Sequence, residues 1–144
     1  MKIVIGSDHR GFLLKEQIKK YFDFNKIEYK DVGTTSTDSV DYPDYAKLAG
    51  EAINNDKYDY GVLICGSGIG VSIAANKVKG LRAVNANTNN LAEMARMHNN
   101  ANVICFGSDF IDYEKAIRFF EIFINTKFEG GERHERRINK LENN

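Results

Sequence analysis

Short apolar runs alternate with segments of helical periodicity along most of the chain. The apolar runs predict five strands, over Lys2–Gly6, Ile27–Val32, Tyr60–Cys65, Leu81–Asn85 and Asn102–Gly107. Apolar positions three and four residues apart predict helices over Gly11–Phe24, Pro43–Asn54, Gly70–Val78, Thr88–His98 and Asp112–Asn125. Because strand and helix alternate strictly, we predict an α/β fold with a five-stranded parallel sheet and helices on both faces.

The last predicted helix carries more apolar side chains than one face against a small sheet requires. They are Ile117, Phe119, Phe120, Ile122, Phe123 and Ile124. We assign this surplus to a dimer interface. The polar tail from Arg133 adds little to the core of a monomer, and we expect it to form a C-terminal helix that reaches a partner subunit. No linker or low-complexity segment interrupts the chain, so residues 1–144 are predicted to form a single domain.

Charge and composition exclude several classes of partner. The chain has 20 basic and 20 acidic residues, so there is no electrostatic case for binding nucleic acid or a membrane surface. No apolar stretch is long enough to span a bilayer. The first residues do not form a signal peptide, and two cysteines without a pairing motif suit a reducing compartment. We therefore expect a cytoplasmic protein with a small-molecule ligand, and no metal or cofactor.

The segment Leu63–Gly70, LICGSGIG, places a cysteine at the end of an apolar strand and then three alternating glycines. Glycines let backbone N–H groups face a ligand, and the following helix start adds partial positive charge. Such a loop binds a phosphate or a developing oxyanion, and it favours the thiolate of a nearby cysteine. Cys65 is therefore a candidate base or nucleophile. A buried cysteine beside a tight turn remains the alternative, whereas Cys105 lies within an apolar strand and is assigned to the core.

Further candidate residues follow the ends of strands and helices. Asp8 and His9 come after the first predicted strand, where parallel sheets bind ligands, but the pair also suits a turn with a helix cap. His98 ends a predicted helix, where a histidine also interacts favourably with the helix dipole. Arg133 and Arg137 would share one face of a helical tail, which suits either a phosphate clamp or a solvated surface.

Together these segments resemble the type B ribose-5-phosphate isomerases, which share a superfamily with the galactose-6-phosphate isomerase subunits. The resemblance extends from Met1 to about Leu141 and is carried by Ile5–Gly11, Asp41–Asp44, Leu63–Gly70, Ile73–Lys77, Gly80–Ala83, His98–Val103, Glu129–Gly131 and the Arg133-His134 pair. It implies a Rossmann-like fold and metal-independent interconversion of aldose and ketose phosphates. It also implies a homodimer, with a tetramer as an alternative, whose active sites use residues of both subunits.

The resemblance implies a catalytic role for several residues of this chain. Cys65 resembles the base that moves a proton between C1 and C2 of the sugar. Some family members place a glutamate base where this chain has Val71, which again points to Cys65. The residues that resemble the anion hole for the enediolate are Gly66, Ser67, Gly68 and Gly70.

Other residues resemble groups that bind the substrate and open its ring. Asp8 and His98 resemble the groups that open the furanose. The residues that resemble phosphate ligands are His9, Arg133 and Arg137, and those that resemble ligands of the sugar hydroxyls are Tyr42 and Asn99.

Two positions depart from the family pattern. The family usually has a phosphate-binding arginine where this chain has Asp109, and an acid there would repel a phosphate unless another group offsets it. Glu132 stands as an insertion between Gly131 and Arg133. Three functions stay open on these grounds: a ribose 5-phosphate isomerase, which we favour, an isomerase of a hexose 6-phosphate such as allose or galactose 6-phosphate, and a sugar-phosphate-binding protein without catalysis.

Overall fold

Strands and helices alternate along the computed structural model, which describes residues 1–144. The strands are β1 (Lys2–Ser7), β2 (Glu28–Asp31), β3 (Tyr60–Cys65), β4 (Ala83–Asn85) and β5 (Val103–Gly107). The helices are α1 (Phe12–Phe24), α2 (Tyr42–Asn55), α3 (Ile69–Asn76), α4 (Asn89–Asn99), α5 (Tyr113–Asn125) and α6 (Glu132–Glu142). The predicted strands and the first five predicted helices are confirmed, and no boundary differs by more than two residues. The polar tail is helical, as expected.

All five strands are parallel, in the order β2-β1-β3-β5-β4. The three central strands are buried almost throughout, which explains why they are apolar at successive positions rather than at alternate ones. The strands at the two edges, β2 and β4, are short and partly exposed. The predicted α/β class and parallel sheet are therefore confirmed.

The helices cover the two faces of the sheet unequally. On one face α1, α4 and α5 build the larger core around side chains such as Phe22, Phe120 and Phe123. On the other face α2 and α3 pack through alanines, including Ala46, Ala49 and Ala75, which allow close approach to the strands. Because α1 and α3 leave the neighbouring strands β1 and β3 on opposite faces, a crevice forms where these strands end.

The apolar surplus of α5 is absorbed within the chain. Phe119, Phe120 and Phe123 are almost fully buried, and the three isoleucines of the helix pack partly against the same core. This happens because α5 lies between α1 and α4 and has apolar neighbours on three sides. The three phenylalanines are therefore covered without a partner, and the prediction of a dimer interface on α5 is left with the three partly buried isoleucines.

Exposed apolar side chains instead collect beside the edge strand β4. They are Ile69 and Ile73 of α3, Leu91 and Met94 of α4, and Leu141 of α6. A groove of about 1010 Å³ runs past Leu91, Met94 and Leu141. None of the helices combines the length and the apolar character that a membrane crossing requires.

Candidate active site

The carboxyl ends of β1, β3 and β5 lie side by side, and their loops are tied together by main-chain hydrogen bonds. Asp8 N donates to Ile64 O at 3.2 Å, which joins the loop after β1 to β3. Ser108 N donates to Cys65 O at 2.9 Å and Asp109 N donates to Gly66 O at 3.0 Å, which joins the loop after β5 to the loop after β3. These bonds fix the three loops against one another, and we call this region the carboxyl edge.

Cys65 lies at the centre of the carboxyl edge. Its side chain is buried, and its Sγ accepts a hydrogen bond of 3.2 Å from Gly68 N. Gly68 adopts φ 76°, a left-handed conformation that glycine tolerates, and it is the N-cap residue of α3. Ser67 Oγ accepts from Ile69 N at 3.1 Å and so caps the same helix. The sulfur therefore lies beside an amide donor at the start of α3.

The loop also offers amide groups that the chain itself does not use. The N–H groups of Gly66, Ser67 and Gly70 donate to no other group of the chain. The Gly68 N–H is already engaged by the sulfur, so it is not a free donor of the predicted anion hole. Three unengaged N–H groups beside a thiol form a cradle for an oxyanion.

Close packing holds this cradle in place. A Cβ on Gly68 would lie 2.4 Å from Asn85 Oδ1, and a Cβ on Gly107 would lie 2.3 Å from Ser67 O. A Cβ on Gly70 would lie 2.6 Å from the Tyr42 ring, which stands at the start of α2. A side chain at Gly68 or Gly107 would collide with main-chain atoms and displace the loop, whereas one at Gly70 would displace the Tyr42 ring.

Asp8 and His9 are fixed beside the cradle. Asp8 is buried, and its Oδ1 accepts hydrogen bonds from Arg10 N at 3.0 Å and Gly11 N at 3.1 Å. The turn that the sequence offered as an alternative is therefore present, but Asp8 does not cap α1, whose N-cap residue is Gly11. Asp8 Oδ2 takes no part in this turn. His9 Nδ1 accepts a hydrogen bond of 3.2 Å from Val40 N, so the ring proton lies on Nε2.

The remaining predicted residues lie at the opposite end of the sheet. The helix α4 begins after β4 and runs back toward the start of β5, which places His98 and Asn99 near the amino ends of the strands. Arg82, which precedes β4, confirms this placement because its Nε donates to Asn99 O at 3.0 Å. The five-residue strand β5 separates the two ends by on the order of 15 Å. We call this second region the amino edge.

The amino edge gathers imidazole, carboxylate and guanidinium groups from α4 and α6. The rings of His98 and His134 stack with centroids 4.9 Å apart and an interplanar angle of 11°, and His98 Nε2 lies 3.7 Å from Glu129 Oε2. Arg133 and Arg137 are exposed on α6, one turn apart, as the helical tail predicts. The predicted site residues are thus divided between two edges of one chain.

Three potential metal ligands lie close together at the amino edge: His98, Glu129 and His134. Their ligand atoms lie within 4.8 Å of one another. The two rings are nearly parallel, however, so their in-plane lone pairs run side by side and do not converge on one point. This arrangement suits stacking rather than coordination.

The two cysteines of the chain differ in what surrounds them. Cys105 lies one strand away in β5, is fully buried and packs in the same core cluster as Cys65. Burial raises the pKa of the Cys105 thiol, and the neighbouring Cys65 raises it further. Cys105 is thus a core residue, as predicted.

The sequence analysis did not identify two ion pairs that shape the site. Arg10 pairs with Asp109 across the carboxyl edge. Arg82 holds the end of α4 and pairs with Glu142 of α6, sixty positions away in sequence. Nothing in the local sequence signals these pairs, because each joins residues that only the folded chain brings together.

A buried thiol beside a helix start and free amide groups has the features of an anion-binding site in an α/β enzyme. The family described as Ribose/Galactose Isomerase matches residues 3–141. The chain therefore belongs to the ribose/galactose isomerase family.

Individual relatives agree over nearly the whole chain. It is 40% identical to ribose-5-phosphate isomerase B of Escherichia coli over 140 residues, which covers 97% of this chain and 93% of that one. It superposes on a ribose 5-phosphate isomerase structure from Thermotoga maritima with a TM-score of 0.96 and 46% identity, covering 99% and 98% of the two chains. It also superposes on a structure of ribose-5-phosphate isomerase B from Mycoplasma genitalium with bound ribulose-5-phosphate. The TM-score is 0.90 and the sequence identity 40%, and the match covers 99% of this chain and 94% of that one.

Proposed function

We propose that residues 1–144 form one isomerase domain that interconverts ribose 5-phosphate and ribulose 5-phosphate through an enediolate. The observation that carries the proposal is the Cys65 sulfur beside the free N–H groups of Gly66, Ser67 and Gly70. Proton transfer next to a carbonyl needs a base and a site for the oxyanion, and these two elements are adjacent here. The relatives named for this reaction support the choice of substrate.

In this proposal the Cys65 thiolate takes the proton from C2 of the open-chain aldose. The electron pair of the broken C–H bond forms the enediolate, whose negative oxygen the loop amides and Ser67 bind. Cys65 then returns the proton to C1, while a proton moves between the two sugar oxygens, and the ketose is formed. Cys65 is again a thiolate at the end of the reaction, so no further reactant is needed.

Ring opening and binding use residues of both edges. Asp8 accepts the proton of the anomeric hydroxyl through its free Oδ2, and a histidine donates to the ring oxygen. Within one chain His98 lies on the order of 15 Å from the carboxyl edge, because the length of β5 separates them. We therefore assign the ring-opening role to His98 of the partner subunit, together with Asn99 of the partner subunit as a ligand of the sugar hydroxyls.

The ligands of the phosphate and of the remaining sugar hydroxyls also come from both edges in this proposal. His9 offers its Nε2–H from the carboxyl edge, and Tyr42 stands against Gly70 at the mouth of the cradle. Arg133 of the partner subunit and Arg137 of the partner subunit complete the phosphate site.

A homodimer that meets along β4 would bring the two kinds of edge together. The exposed apolar side chains of α3, α4 and α6 lie on this side of the sheet, where a partner would cover them. This surface is the dimer interface that we propose in place of α5.

The test is to measure conversion of ribose 5-phosphate by the wild type and by Cys65→Ala, with allose 6-phosphate alongside. Turnover of ribose 5-phosphate by the wild type, and its loss in Cys65→Ala, is the expected result. Turnover of the hexose phosphate alone would assign the chain to a hexose 6-phosphate isomerase. Binding of both sugars without turnover of either would make it a sugar-phosphate-binding protein.

A further inference from the structure

An arginine that none of the predicted roles uses lies across the carboxyl edge. Arg10 Nη2 pairs with Asp109 Oδ2, which joins the loop after β1 to the loop after β5. The two side chains are about half exposed, with 54% and 46% of their surface open. The carboxylate at position 109, which alone would repel a phosphate, is therefore offset by a cation.

The main chain of Arg10 is held on both sides. Its N–H donates to Asp8 Oδ1 at 3.0 Å, and its carbonyl accepts from Ser108 Oγ at 2.8 Å. Its position is thus set by the same loops that carry the site, and only the outer part of its side chain is open to solvent.

The guanidinium lies directly against the amide cradle. A Cβ on Gly66 would be 3.1 Å from Arg10 Nε and 3.2 Å from Arg10 Cζ. A guanidinium has five N–H donors, and the pair with Asp109 engages one of its amino groups. The Nε and the other amino group remain available, next to Gly66, whose N–H group is free.

We propose that Arg10 binds the phosphate of the substrate at the carboxyl edge and that Asp109 is the positioning residue that holds its guanidinium there. This inference rests on the proposed function for the identity of the substrate. A phosphate monoester fits the site because its paired oxygens match the free N–H groups of a guanidinium. Asp109 is then compatible with phosphate binding because it acts through Arg10.

Three variants separate this role from simpler ones. Arg10→Ala removes the ligand but also leaves Asp109 unpaired, so it would weaken phosphate binding even if Arg10 only neutralised that charge. The double variant Arg10→Ala with Asp109→Ala removes both charges and resolves the ambiguity. Lys30→Ala is the matched control, because Lys30 pairs with Asp56 at 3.8 Å, is 50% exposed, and lies on the edge strand β2 away from the cradle.

Two readouts are measured for each variant: the kinetics with ribose 5-phosphate, and the affinity for inorganic phosphate by calorimetry. We expect Arg10→Ala to raise KM and the phosphate dissociation constant about tenfold, with kcat changed less than about threefold. The double variant should regain only the part of the affinity that the unpaired Asp109 had cost and should stay clearly weaker than the wild type, and Lys30→Ala should match the wild type.

Two outcomes would overturn the inference. A double variant that regains the wild-type KM would show that Arg10 only neutralises Asp109. An Arg10→Ala variant that matches Lys30→Ala in both readouts would show an ordinary surface ion pair. If the wild type does not turn over ribose 5-phosphate but Arg10→Ala still weakens phosphate binding, the role of Arg10 stands and the proposed reaction fails.

Discussion

The two edges of the sheet are built by different means. The carboxyl edge is fixed by main-chain hydrogen bonds and by glycines that leave no space for a side chain, as at Gly68 and Gly107. The amino edge is an assembly of side chains on helix ends, and α6 contributes no buried residue to it. The carboxyl edge holds a thiol and free amide groups, whereas the amino edge holds imidazoles and arginines. In the proposed function these are the two parts of one site, and they cannot meet within one chain.

The largest expected effect separates the two cysteines. Cys65→Ala should lower kcat by about a thousandfold, within the range for a lost general base, and leave KM nearly unchanged. Cys105→Ala removes a buried thiol of similar size, so it should cost about 1 kcal/mol of stability and leave kcat within about threefold. Steady-state kinetics and thermal unfolding of both variants test this. Equal losses of kcat would mean that Cys65 acts through packing.

The shared site is tested by mixing inactive subunits. Cys65→Ala and His98→Ala homodimers should both be nearly inactive, but a mixed dimer would have one site with both edges intact. Since half of randomly exchanged dimers are mixed, activity should return to about a quarter of the wild-type value.

A second mixture serves as the control for this recovery. Cys65→Ala and Asp8→Asn both damage the carboxyl edge, so every site of their mixed dimer contains one lesion and no activity should return. Recovery in the control, or none in the first mixture, would contradict a site shared between subunits.

A third test concerns support of the carboxyl edge rather than its chemistry. Lys15 is 1% exposed, and its Nζ lies 2.5 Å from Asp31 Oδ2 at the end of β2. Gly33 N donates to Asp31 Oδ1 at 2.8 Å, and Thr34 N donates to Ser7 O at 3.0 Å, so the pair supports the loop beside β1. Asp31→Asn should lower the free energy of unfolding by about 2 kcal/mol, because the buried Lys15 then keeps only Glu16, 3.0 Å from its Nζ, as a charged partner.

The pH dependence gives this variant a specific signature. Burial would raise the pKa of Asp31, but hydrogen bonds from Lys15 and Lys19 outweigh it and hold the pKa below its usual value. A lowered carboxyl pKa stabilises the fold above the unfolded value of about 3.9, and this stability is lost as the pH falls through the folded value. The difference in unfolding free energy should therefore shrink in acid. The exposed Glu28 pairs with Lys2 at 3.7 Å, and Glu28→Gln should cost less than about 0.5 kcal/mol at any pH.

The smallest expected effect lies at the amino edge. Arg137→Ala should raise KM about tenfold and change kcat little, because a ground-state phosphate ligand is lost. Arg136→Ala removes the same charge from a neighbouring position of α6 and should change KM less than about twofold. Similar increases for both would indicate a general field of positive charge, and a loss confined to kcat would exclude Arg137 as a ground-state ligand.

The order of strands and helices could be predicted because each element has its own local pattern of apolar residues. Lys2–Ser7 and Tyr60–Cys65 are apolar at successive positions, as strands covered on both faces must be. The sequence could not show what covers the apolar side chains of α5. The same residues would be needed whether α5 packs against α1 and α4 or against a second chain. Only the packing of the sheet faces distinguishes these cases.

The carboxyl edge could largely be predicted, since Asp8 follows β1, Cys65 is the last residue of β3, and these neighbouring strands end together. His98 lies far from the carboxyl edge because α4 runs back toward the amino ends of the strands. The order of the motifs along the sequence does not show this direction. The Arg10–Asp109 pair joins residues 99 positions apart, so the sequence shows only the unexpected acid and not its partner.

The construction of α6 has a consequence for how the protein is made. The helix has 11 residues, none of them buried, and it follows Gly130 and Gly131, which adopt positive φ angles of 73° and 91°. A helix of this length is marginal in water on its own, so contacts with a second subunit would supply much of its order. Newly synthesised subunits would then expose an unfolded, Arg-rich terminus to proteases until they find a partner. Degradation would in that case remove unassembled chains and spare finished dimers, so the tail would set the lifetime of the protein as well as completing its site.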